Sequence, residues 1–171
     1  MKEKEINTSN KVEKEEFDGF DSPLDWVLYN LKISTEKYTI TDNEEKLIGE
    51  TVLRLPKKVR DKVINELLII PVGAGGTAGI FRFDVTPESK VVYKSYIILN
   101  FIAMKNISDN KKMDIIAHEI AHFWLGHNDN TDRNWKNLLK KKNREREADD
   151  LIEKWGFNRA YKDNEYKRFD I

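Results

Sequence analysis

The chain has three histidines in 171 residues, and all three lie in one short stretch, DIIAHEIAHFWLGH, residues 114–127. His118, Glu119 and His122 read H-E-x-x-H. On a helix the i, i+4 spacing sets both imidazoles on one face, one turn apart, so that two ring nitrogens can grip a single cation. Glu119 follows the first histidine directly and points beside that cation, where a carboxylate can take a proton from a water held there. The chemistry these residue types could do together is metal-assisted hydrolysis. With no cysteine in the chain, disulfides and thiolate zinc sites are excluded, and the usual zinc ligands left are His, Asp and Glu.

The geometry requires a helix, and the flanking residues predict one. Ser108 or Asp109 can serve as N-cap, and Met113, Ile116, Ala117, Ile120, Ala121, Phe123 and Trp124 recur at helical spacing. Gly126 is placed to end the segment.

A catalytic zinc normally takes three protein ligands and one exchangeable water, so a third ligand is needed. His127 does not fit the metzincin pattern H-E-x-x-H-x-x-G-x-x-H, because the glycine and the histidine each fall one residue away from their places in it. The next helix offers Glu145, Glu147, Asp149 and Asp150. Leu138, Glu145, Ala148, Asp149, Ile152 and Trp155 share one stripe; Lys140, Arg144, Glu147, Asp150 and Lys154 share the other. At 100° per residue Glu145 lies about 20° from Leu138 and Ile152, whereas Glu147 is about 160° from Glu145. Glu145 is therefore expected to face inward, where a cation would relieve the cost of burying its charge. Asp149, one turn on, can orient a ligand histidine through its second ring nitrogen.

HEIAHFWLGH followed by EREADDLIEKWGF resembles the gluzincin metallopeptidases, and among them most resembles the ImmA/IrrE family, with its H-E-x-x-H-x-x-L-G-H signature and later E-x-x-A-[ND] helix. The resemblance covers about Val91 to Phe157. It implies a zincin-like core in which His118, His122 and Glu145 bind Zn2+, Glu119 is the general base and Asp149 supports a ligand from behind. The E-x-x-A-D element is also similar to that of CAAX prenyl proteases and HtpX-type peptidases, which are membrane proteins, whereas this sequence has no apolar run of membrane-spanning length. The helix-turn-helix domain carried by some ImmA/IrrE relatives is not evident.

The remaining elements must position this site. Residues 1 to about 16 are charged and nearly without core residues, so residues 1–20 are expected to be a flexible arm and 21–171 a single domain. Helices are predicted after Ser22-Pro23, from Asp42 to about Leu53, from Pro56 through Leu68, and from about Asn134 to Trp155, the last with Lys140–Asn143 as the one place where it could break. Strands are predicted over Leu67–Val72, Ile80–Val85 and Val91–Asn100, with a glycine-rich loop at Gly73–Gly79 that lacks the G-K-[ST] of a phosphate cradle. The expected fold is α+β: a small zincin-like domain with helices packed on a short sheet of about three strands.

Hydrophobic residues make up 39% and charged residues 35%, with 30 basic against 30 acidic side chains. Such a chain is globular rather than disordered, and with no net basic field nucleic acid is not expected as its main partner. The N-terminus has no apolar signal segment, so a soluble, cytoplasmic protein is expected. The expected function is zinc-dependent hydrolysis of peptide bonds in a protein or peptide substrate, the alternative being a zinc-holding regulatory or interaction module. His127, Tyr93, Tyr96, Tyr161 and Tyr166 are the candidates for stabilising an oxyanion.

Overall fold

The computed structural model describes residues 17–34, 40–73, 78–82, 95–127 and 135–161. Three of the helices begin at a side chain that caps them. α1 (Pro23–Asn30) starts at Ser22, whose hydroxyl accepts from the Asp25 amide, with proline in the first turn. α2 (Asp42–Arg54) opens with a reciprocal capping box between Thr41 and Glu44. α3 (Lys57–Glu66) follows Pro56, and the chain then passes straight into a strand, Leu67–Pro71, so Leu67 and Leu68 belong to that strand and not to the predicted helix. α4 (Asp109–Leu125) is capped by Ser108 and stopped by Gly126 at φ +77°. α5 (Trp135–Lys154) runs unbroken through the lysine run. Lysine is a good helix former, so a run of it does not interrupt the backbone ladder.

Among the described residues the sheet has four strands where about three were expected: β1 (Lys32–Ile33), β2 (Leu67–Pro71), β3 (Ala78–Arg82) and β4 (Ser95–Leu99), in the order β1-β2-β4-β3. β1 is two residues long, too short to carry an alternation, and is defined only by its parallel pairing of Lys32 and Ile33 with Leu68 and Ile69. β2 and β4 are parallel, with Ile69 opposite Ile97; β3 is antiparallel to β4, with Ile80 opposite Ile97. β4 is thus a central strand, paired on both sides. β3 lies at the end of the strand order. The predicted extensions over residues 83–85 and 91–94, most of the glycine-rich loop, the 128–134 connection and residues 1–16 lie outside the described residues.

Burial explains how the sheet holds the histidine helix. Leu67, Ile69, Ile97 and Leu99 are buried and form one core with Ile116, Ala117, Ile120 and Ala121 of α4. α4 is buried at every position from Met113 to Phe123, because β3 and β4, α2 and α5 all pack against it. A helix enclosed on all sides cannot shift to accommodate its polar residues, so each must find a partner. α1 lies close on α2: a Cβ at Gly49 would come within 2.6 Å of Leu28 Cδ2 and 2.8 Å of Leu24 Cδ1. Phe17, inside the stretch expected to be a flexible arm, sets its ring edge-on to Trp26 at 5.3 Å.

Among the described residues no helix is long and apolar enough to cross a membrane.

Candidate metal centre

α4 and α5 pack side by side, and they bring three ligand types to one point. His118 Nε2 lies 2.9 Å from His122 Nε2 and 3.1 Å from Glu145 Oε2, and His122 Nε2 lies 3.6 Å from the same oxygen. Tetrahedral zinc with donors at about 2.0–2.1 Å holds neighbouring donors about 3.3 Å apart. The three distances bracket that value. Among the described residues, His118, His122 and Glu145 form the group of metal-capable side chains with mutually close donor atoms.

The donor set also suits a cation. His118 Nδ1 lies 2.8 Å from Asp149 Oδ1, a fully buried carboxylate that also accepts from the Ala160 amide at 2.8 Å and the Tyr161 amide at 3.4 Å. A carboxylate receiving backbone N–H groups is ionised and can only accept, so His118 places a proton on Nδ1. In the neutral ring, Nε2 then presents a lone pair toward the Glu145 oxygen and His122 Nε2. Where His122 Nε2 also presents a lone pair, three acceptors face one another in a buried space, and a cation or a proton must lie between them. The residues therefore fit a divalent cation, and without one a proton must serve. Burial works against charge on His118, but hydrogen bonds to Asp149 and Glu145 and the negative charges of Glu119 and Asp149 outweigh it and raise its pKa to about 9. Burial likewise opposes charge on Glu145, yet bonding to His118 and His122 holds its carboxyl well below the usual range.

Glu119 is buried next to His118 and near enough for its charge to act on that ring. Helical phase separates Glu145 from Glu147 as expected. Glu145 reaches both ligand histidines, whereas the Glu147 side chain is 60% exposed and stays outside the triad. Glu147 is not idle, however: its Oε2 lies 3.1 Å from His127 Nε2, and His127 Nδ1 lies 2.9 Å from His122 Nδ1. Burial and the neighbouring His122 push the His127 pKa down, against the opposing pull of Glu147. The Leu138 side chain, used to set the helical phase, lies outside the described residues.

Of the tyrosines, Tyr93 and Tyr166 lie outside the described residues. Tyr96 alternates onto the half-exposed face of β4, opposite to Ile97 and Leu99. Tyr161 sets its ring edge-on to His118 at 4.9 Å and 85°. Its segment is fastened from several sides: Asp149 takes two amides, Asp114 accepts from the Asn158 amide at 2.9 Å, and Lys111 Nζ donates to the Arg159 and Ala160 carbonyls. Sequence reasoning missed this strap, residues 157–161. Asp114 was its one visible trace, a carboxylate placed among the apolar positions of α4.

No family model matches the chain, and neither the curated proteins nor the solved structures include a match to it.

Proposed function

We propose that the protein is a zinc-dependent peptidase. The observation that carries the reading is the convergence of His118 Nε2, His122 Nε2 and Glu145 Oε2 at mutual distances of 2.9–3.6 Å, with Glu119 buried alongside. The resemblance of HEIAHFWLGH and EREADD to the ImmA/IrrE gluzincins supports it, and a zincin-like core is consistent with a histidine helix lying against a small mixed sheet.

Zinc, when bound, polarises a carbonyl and lowers the pKa of water toward about 7. The chain supplies the rest. His118, His122 and Glu145 fix the cation's position, Asp149 holds the His118 ring with its proton on Nδ1, and Glu119 accepts a proton from water and returns it to the leaving amine. Assay on an unstructured protein tests the reading: a chelator should abolish hydrolysis and zinc should restore it, while hydrolysis that persists without metal would refute it.

Metal binding here is linked to protons. The pKa of His118 is raised in the metal-free protein, so its contribution to stability is complete below its ordinary value of 6.5 and is lost as pH rises through about 9. That of Glu145 is depressed, so its contribution is present above its ordinary 4.5 and is lost as pH falls. Zinc must displace the His118 proton, and its affinity should rise about tenfold per pH unit up to about pH 9. Melting curves with and without zinc should show a larger stabilisation at pH 8.5 than at pH 6; an equal gain would contradict the displacement.

Substrate can add to the sheet as an extra strand along β3, which ends the strand order among the described residues and lies against α4. β4, the other strand considered from sequence, is paired on both sides over Ser95–Leu99. A bound peptide should slow amide exchange within Ala78–Arg82; unchanged exchange there at saturation would exclude this mode.

A further inference from the structure

We propose that His127 is a positioning residue that selects the metal-binding tautomer of His122, with Glu147 fixing the proton on His127 in turn. The proposal rests on the zinc reading above and goes beyond it, because His127 belongs to no part of the triad.

The end of α4 explains how His127 comes to lie there. Gly126 takes φ +77°, the Gly126 amide donates to the Phe123 carbonyl at 3.3 Å, and the His127 amide donates to the His122 carbonyl at 3.0 Å. This is the paired closure of a Schellman motif, in which the residue after the left-handed glycine turns back onto the residue five positions earlier. That contact is usually hydrophobic. Here both positions are histidine, with ring centroids 5.0 Å apart and Nδ1 atoms 2.9 Å apart.

The direction of the hydrogen bond between them decides whether His122 can bind a cation. To offer a lone pair at Nε2, neutral His122 must carry its proton on Nδ1 and donate it to His127 Nδ1. His127 must then carry its own proton on Nε2, where Glu147 Oε2 accepts it at 3.1 Å. In the reverse direction His127 donates from Nδ1, the His122 proton moves to Nε2, and the ligand position is blocked. The Glu147 carboxylate can only accept, so it favours the first direction. His118 gets the same service from a single buried carboxylate, Asp149. His122 gets it from an imidazole backed by an exposed one, and most of the effect is expected from the nearer group because the Glu147 side chain is 60% exposed and screened.

The test is the affinity of the full chain for zinc alone, measured by competition with a chelating dye at pH 7.5, with circular dichroism and melting checked for every variant. Removing the acceptor in His127→Leu should weaken zinc binding about 10–100-fold, the range for losing an outer partner of a ligand. His127→Ala, which adds no apolar bulk, should match it. His127→Asn keeps an acceptor oxygen near the Nδ1 position and should stay within about threefold of wild type, as should Glu147→Gln, whose amide oxygen still accepts. Wild-type affinity in His127→Leu and His127→Ala would overturn the proposal, and so would a loss in His127→Asn as large as in His127→Leu, since that would make the role one of packing. Wild-type protein that takes up no zinc is a different result: it overturns the zinc reading and the role of His127 with it.

Discussion

Glu145→Ala is expected to lose zinc, and with it activity, while Glu147→Ala keeps both. The two carboxylates are two residues apart on one helix, yet only Glu145 Oε2 lies within 3.1 and 3.6 Å of the two Nε2 atoms. Removing it takes away one of three ligands and the only negative charge in the triad. The two imidazoles that remain cannot hold a divalent cation as tightly. The loss should exceed the roughly 100-fold upper range for an outer partner. Glu147 lies behind His127 and is largely exposed, so its removal should cost only a few-fold, about what a screened charge contributes. Zinc titration of both variants separates these outcomes; a Glu147→Ala loss as large as that of Glu145→Ala would show that the triad is wrongly drawn.

The second large effect is on turnover. Glu119→Gln should leave zinc bound and the fold intact but slow hydrolysis by at least about 10², the usual contribution of a general base. Glutamine matches glutamate in shape but cannot take up a proton at neutral pH. Glu119 is buried, so the amide must also keep its hydrogen bonds, and a melting curve on the zinc-loaded variant checks that it does. Equal rates for wild type and Glu119→Gln on any cleaved substrate would remove Glu119 from the mechanism. A zinc-binding module without catalysis would show no hydrolysis in either.

Much of the site was legible because it is helical, and helices are local. The i, i+4 spacing put His118 and His122 on one face, and the phase of EREADD turned Glu145 toward them and Glu147 away. Ser108 and Gly126 marked the ends of α4 by residue type alone. The features that were not legible depend on distant pairing. β1 is visible only through β2, and the central place of β4 follows from a strand order that brings residues 67–71 beside 95–99 and leaves β3 outside. The role of His127 falls between the two cases. Its spacing from Gly126 and His122 is the local spacing of a Schellman closure, but comparison with a metzincin third ligand directed attention to the metal instead of to the back of His122. Glu147 was rightly placed away from the triad, although its contact with His127 depends on where the chain goes after α4 and could not be read from phase.

The most direct test of the central claim is the metal content of the protein. Purified protein reconstituted with zinc, passed through a desalting column and measured by elemental analysis should retain one zinc per chain, and Glu145→Ala treated in the same way should retain none. Wild-type protein that carries no transition metal after reconstitution would contradict the account.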